Sequence, residues 1–117
     1  WPWLLGHYTE ALLRTAWDTE GAAQGLLETV TPLFTDHLTE AGVGSVSEIF
    51  DASPPHTPDG CIAQAWSVAE CLRLLRLLQM TAPKAYAAWE ATLQERFRAP
   101  RQGDDTAGIC RITNLGC

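Results

Sequence analysis

Most of the side chains able to do chemistry sit in one stretch, GVGSVSEIFDASPPHTPDGCIAQAWSVA, residues 42–69. Glu48 and Asp51 are carboxylates, His56 is an imidazole, and Cys61 follows Gly60 in a turn. A carboxylate held in place can take a proton from water or a hydroxyl, which is general-base work. Holding it needs anchors, and Val43, Val46, Ile49 and Phe50 supply apolar ones. Pro54, Pro55 and Pro58 stiffen the connection by limiting its unfolded freedom. A long connection without structure of its own inside a compact domain is functional or disordered, and the apolar anchors argue against disorder. Plainer roles stand beside the chemical ones. A loop glutamate is usually solvated, Asp51 suits an Asx-turn ahead of Ser53-Pro54, and His56 suits a loop hydrogen bond.

Helices must position this stretch. Trp1-Pro2-Trp3 opens the first, since proline fits a helix's first turn. Leu4, Leu5, Tyr8, Ala11, Leu12, Ala16 and Trp17 then recur at helical spacing, with His7, Glu10, Arg14 and Asp18 on the other face. Asp18-Thr19-Glu20-Gly21 is a break with capping residues. A second helix carries Leu26, Leu27, Val30, Leu33, Phe34 and Leu38. Pro32 inside it predicts a kink or restart near Thr31, and Gly42 and Gly44 end it. The third spans about Ile62 to Met80. Its polar residues recur every third position, so they drift around the cylinder and leave it apolar on most sides, as suits a helix packed between others. Arg73 and Arg76 read as its solvated outer end. After Thr81-Ala82-Pro83 a fourth helix places Tyr86, Trp89, Leu93 and Phe97 on one face. From Pro100 the pattern stops, and residues 100–117 are expected to form an irregular tail after a domain of residues 1–99.

The 117 residues allow one domain, and 46% hydrophobic content suffices for a core. A net charge of −6 argues against a nucleic-acid partner, and no apolar run is long enough for a membrane span. Cys61, Cys71, Cys110 and Cys117 fit no zinc spacing, so no metal or other cofactor is expected. Cys71 reads as a buried thiol in an apolar helix, which suits a reducing cytoplasm. No signal peptide opens the chain, and Trp1 stands where Met is expected; the sequence reads as a piece of something longer.

Two stretches carry a resemblance. WPWLLGHYTEALLR (residues 1–14) and GSVSEIFDASPPHTPDGCIAQAWSVAECLR (residues 44–73) are similar, in order and separation, to the C-terminal glucosidase domain of the glycogen debranching enzymes, over roughly residues 1–78. The resemblance implies an all-α fold, the C-terminal part of an (α/α)6 barrel with about four helices and one long functional loop. It implies inverting hydrolysis of α-1,6-glucosidic branch points, with Glu48, in the family's S-x-S/P-E-I/L motif, as general base. Its partner acid in the family is an upstream Asp that this chain lacks, and four helices cannot close a twelve-helix barrel. The remainder of the catalytic domain is therefore an implied partner, and an α-glucan the implied substrate.

In this setting Glu48 faces a sugar-binding cavity. Inverting enzymes hold their two carboxyl groups about 6.5–9.5 Å apart to admit a water. Trp1, Trp3 and Trp66 become candidate sugar platforms, although Trp66, on an apolar helix, reads first as core. Gln64 can donate to and accept from hydroxyls, and His7 can reach the same mouth. Two other readings are a non-catalytic helical carbohydrate-binding or interaction module, and a related (α/α)6 glycosidase acting on another α-glucoside. An excised piece is expected to expose Leu5, Leu12, Leu27 and Trp89.

Overall fold

A computed structural model describes residues 1–98. The fold is all-α, with four helices: α1 (Leu5–Thr15), α2 (Thr19–Thr35), α3 (Ala65–Thr81) and α4 (Pro83–Arg98). The expected tail, with Cys110 and Cys117, lies outside the described residues. Among those described, no helix is long and apolar enough to cross a membrane.

Pro2 starts a 3₁₀ turn, Pro2–Leu4, that runs directly into α1. The helix stops at Thr15 because Ala16 is extended (φ −69°, ψ 131°). Trp17, read as part of the apolar stripe, therefore points away from the helix packing and is fully exposed. The Asp18 carboxylate then accepts the Gly21 N–H at 3.0 Å and caps α2, a contact worth about 1 kcal/mol. Contrary to the expected restart, α2 continues through Pro32 to Thr35. Pro32 lies in the last turn, where few further bonds depend on it, and its carbonyl still accepts the Asp36 N–H at 3.0 Å. A second 3₁₀ turn, His37–Thr39, follows. Gly44, at φ +70°, closes it by donating its N–H to Leu38 O at 2.8 Å.

The helices pack alternately, α1 on α3 and α2 on α4. Contacts along each pair fix the directions. The rings of Trp3 and Trp66, at the N-terminal ends of α1 and α3, lie 5.1 Å apart, and Glu10 meets Arg73 farther along. Glu20 in the first turn of α2 accepts the Ala85 N–H of α4 at 2.8 Å, while Asp36 and Arg96 pair at 2.9 Å at the opposite ends. Two parallel pairs thus form two layers, joined as the side-by-side hairpins α1–α2 and α3–α4. This is consistent with a sector of a helical toroid.

The core fills the space between layers. Ala23, Leu26, Leu27 and Val30 of α2 meet Leu74, Leu78 and Ala82 from α3 and its C-terminal end, flanked by Leu5, Leu12, Phe34, Tyr86 and Trp89. Each fully buried leucine contributes about 1.5–3 kcal/mol. Of the four side chains expected on open faces, Leu27 is buried and Leu5, Leu12 and Trp89 are half-buried, because each hairpin covers the other; Trp89 also donates its indole N–H to Thr31 Oγ1 at 2.8 Å. Other apolar side chains are exposed, among them Leu72 and Met80 of α3 and Phe97 of α4. Arg73 is not a solvated end either. It is half-buried and pairs with Glu10 and Glu70, joining α1 to α3. Arg76 is exposed and donates to Gln79. Cys71 is buried, and burial, with Glu70 adding to it, pushes its thiol pKa up to about 11.

Candidate active site

The connection from α2 to α3 is shaped by a small antiparallel hairpin, β1 (Ile49–Phe50) and β2 (Pro58–Asp59), with Ile49 opposite Asp59 and Phe50 opposite Pro58. Asp51 extends the ladder, its N–H donating to Thr57 O at 3.0 Å. At the tip His56 takes φ 59°. Its ring nitrogen Nδ1 lies 3.0 Å from Asp51 O, the loop hydrogen bond its position suggests. Val46 and Ser47 are buried beneath the hairpin, and Ile49 and Phe50 are half-buried. Val43, expected to anchor as well, is exposed because it sits in the turn at Gly44, outside the packed segment.

Glu48 lies at the base of this hairpin and is half-buried. Its N–H donates to Cys61 O at 2.9 Å, and its Oε2 accepts the Cys61 N–H at 3.1 Å. Main chain and side chain are thus bound to the same residue, which restricts where the carboxylate points. Oε1 accepts no hydrogen bond from the described residues. Gly60 beside it has φ +71°, and a Cβ there would stand 2.9 Å from Glu48 Oε2. Backbone conformation and space both call for glycine.

The same junction carries Gln64. Its N–H donates to Val46 O at 3.0 Å. It occupies the N-cap position of α3, but its Oε1 accepts from Ser67 Oγ at 2.7 Å instead of capping a main-chain N–H. Trp66 follows in the first turn of α3. It is exposed, not core: the turn Pro2–Leu4 packs on α3, but Trp3 covers only part of the Trp66 ring, the two being tilted by 40°. Trp3 is half-buried, and the exposed His7 ring meets it edge-on, with centroids 6.5 Å apart. Trp3, His7 and Trp66 therefore lie together at the N-terminal ends of α1 and α3, while Glu48 and Gln64 are held on the two arms of the connection at the hairpin base, the second of which leads into α3.

Trp1 belongs to a different space. An open cleft of about 860 Å³ is bordered by Trp1, Leu5, Leu33, His37, Phe50 and His56, among others. The other five site candidates do not line it.

His37 is the residue the sequence reading missed. It is buried, its Nε2 accepts the Ser47 N–H at 3.1 Å, and its ring meets Phe50 edge-on at 4.6 Å. Burial holds its pKa below the ordinary imidazole value, partly opposed by Glu40, whose Oε2 lies 3.8 Å from Nδ1. A signal was present: His37 stands three residues after Phe34 and seven after Val30, on the apolar stripe of α2.

The sequence pattern of the family described as amylo-alpha-1,6-glucosidase matches residues 1–73. No match was found among curated proteins or among solved structures. The matched span covers more than half of the 117 residues and includes Glu48 and every aromatic and amide named above as a sugar contact. The chain belongs to the amylo-alpha-1,6-glucosidase family, that of the C-terminal domain of glycogen debranching enzymes.

Proposed function

We propose that this chain contributes the general base of an inverting α-1,6-glucosidase. Glu48 takes the proton of an attacking water; the acid that protonates the leaving oxygen comes from barrel helices outside this sequence. The substrate is a branched α-glucan of the glycogen type, and the setting is the cytoplasm, where the thiols of Cys61 and Cys71 stay reduced. The observation that carries the reading is the double tie of Glu48 to Cys61. It leaves one carboxylate oxygen without a protein partner in the described residues, on the connection that runs through Gln64 into α3, whose first turn carries Trp66 against Trp3. Flat indole faces suit a pyranose, and an amide suits its hydroxyls.

The test uses the complete domain carrying Glu48→Gln. Hydrolysis of α-1,6 branches should fall by about 10²–10⁴-fold, the range for losing a general base, while the circular dichroism spectrum and melting temperature stay unchanged. Wild-type turnover in the variant would remove Glu48 from the reaction. Retained glycan binding would then favour a carbohydrate-binding role for the tryptophans.

A further inference from the structure

We infer that His37 is the positioning residue for Glu48: its neutral ring, buried under the hairpin, grips the Ser47 amide and so holds the carboxylate one residue further on. This rests on the reading of Glu48 as the base.

Four hydrogen bonds tie the hairpin base to residues 61–64: two between main-chain groups, Gln64 N–H to Val46 O and Glu48 N–H to Cys61 O, and two with side chains, Cys61 N–H to Glu48 Oε2 and Ser47 Oγ to Ile62 O at 3.5 Å. All hold one side of the segment. The tie to the end of α2 is His37 Nε2 accepting the Ser47 N–H. Ser47 is fully buried, so its N–H has no water to turn to if that acceptor is lost.

An N–H can only donate, so Nε2 must be unprotonated and the neutral ring carries its proton on Nδ1. Nδ1 is buried without a hydrogen-bond partner. A second proton on Nε2 would set donor against donor and break the grip. The charged and titratable groups around the ring are Glu40 in its own turn, Asp36 at the end of α2, and His56 on the hairpin across the cleft. Phe50, which meets the ring, is uncharged; of the other cleft residues Pro2 and Leu5 are apolar, and Trp1 brings the chain's terminal ammonium to the same cleft. Glu40 favours the imidazolium, but its carboxylate is largely exposed and water screens it. Burial favours the neutral ring. The base is thus held correctly at neutral pH and released as His37 takes up a proton below the ordinary imidazole range.

Two variants separate the roles. His37→Phe keeps a ring and removes the acceptor. His37→Gln sets an amide oxygen near the place of Nε2 and cannot titrate. In the ¹⁵N-labelled 117-residue chain, the protection factor of the Ser47 amide, its exchange rate corrected for the intrinsic pH dependence, should be high near pH 7 and fall as the His37 nitrogen shifts report protonation. That protection should be lost in His37→Phe, and stay high across the same pH range in His37→Gln. In the complete domain, His37→Phe should lower kcat by up to about 10²-fold, as expected for a displaced catalytic group, with KM little changed. His37→Gln should recover kcat and lack the acid limb set by the imidazole. Ser47 exchange indifferent to His37→Phe would overturn the proposal, as would wild-type pH dependence in His37→Gln, which also decides the matter if His37→Phe does not fold. Should Glu48→Gln leave turnover intact, the catalytic reading fails, yet Ser47 exchange still reports whether His37 holds the loop.

Discussion

Between the helix layers the buried side chains are Ala23, Leu26, Leu27, Val30, Leu74 and Leu78; under the hairpin they are His37, Val46 and Ser47. The first set is held by removing apolar surface from water, which has no direction and tolerates small rotations. The second is held by hydrogen bonds of stated donor and acceptor, and these fix orientation. Each region does what the other cannot. The apolar seam holds the two hairpins together, and the polar junction aims one carboxylate. Damage to the first should therefore cost stability, and damage to the second should cost geometry.

The largest effect is expected at the seam. Leu74→Ala empties a site where the native leucine is fully buried, and should destabilise the chain by about 2–5 kcal/mol. Chemical denaturation measures it. While the variant remains folded, the exchange rates of the Ser47 and Cys61 amides should keep their wild-type order. Their loss ahead of the amides of α2 would mean that the two regions are not separable.

Gly60→Ala is the matching change at the junction. A φ of +71° disfavours any side chain, at a cost of about 1–2 kcal/mol. The new methyl would also press on Glu48 Oε2. The expected result is a smaller stability loss than Leu74→Ala with a larger effect at the site: the Cys61 amide loses protection and, in the complete domain, kcat falls. Wild-type kcat at reduced stability would show that the carboxylate does not depend on this tie.

What could be read from the sequence follows the same division. The four helices, the cap at Asp18 and the buried Cys71 were legible because periodicity and capping are local. The motif around Glu48 was legible through family likeness. Pairing between distant segments was not. Arg73 looks solvated until Glu10 of α1 is set beside it, and Trp66 looks like core until it is seen in the first turn of α3 with only Trp3 lying against part of its ring. For His37 only its burial was legible, from its place on the stripe with Val30 and Phe34; its partner is a main-chain N–H ten residues away, and a main-chain group leaves no trace in composition. The double tie between Glu48 and Cys61 is likewise set by hairpin register, which one pair of two-residue strands does not announce.

The smallest expected effect tests whether direction alone, or direction together with burial, makes a polar tie count. Glu10 bonds Arg14 at 2.8 Å and meets Arg73 across the α1–α3 contact, so it links elements as His37 does, but in contact with water. The hydrogen bond and charge of Arg14, then the charge of Arg73, hold its carboxyl below the ordinary value of 4.5. A depressed carboxylate pKa gives stability that is present above 4.5 and lost as pH falls through the lower, folded value. Melting temperatures of the wild type and Glu10→Gln should therefore differ by a small constant amount near neutrality, converge in acid, and converge again in high salt, which screens exposed pairs. The His37–Ser47 tie, being buried, should ignore salt. A Glu10→Gln difference that persists unchanged in acid and in salt would mean that packing, and not charge, joins α1 to α3 at that point, and the distinction between wet and buried polar ties would lose its basis here.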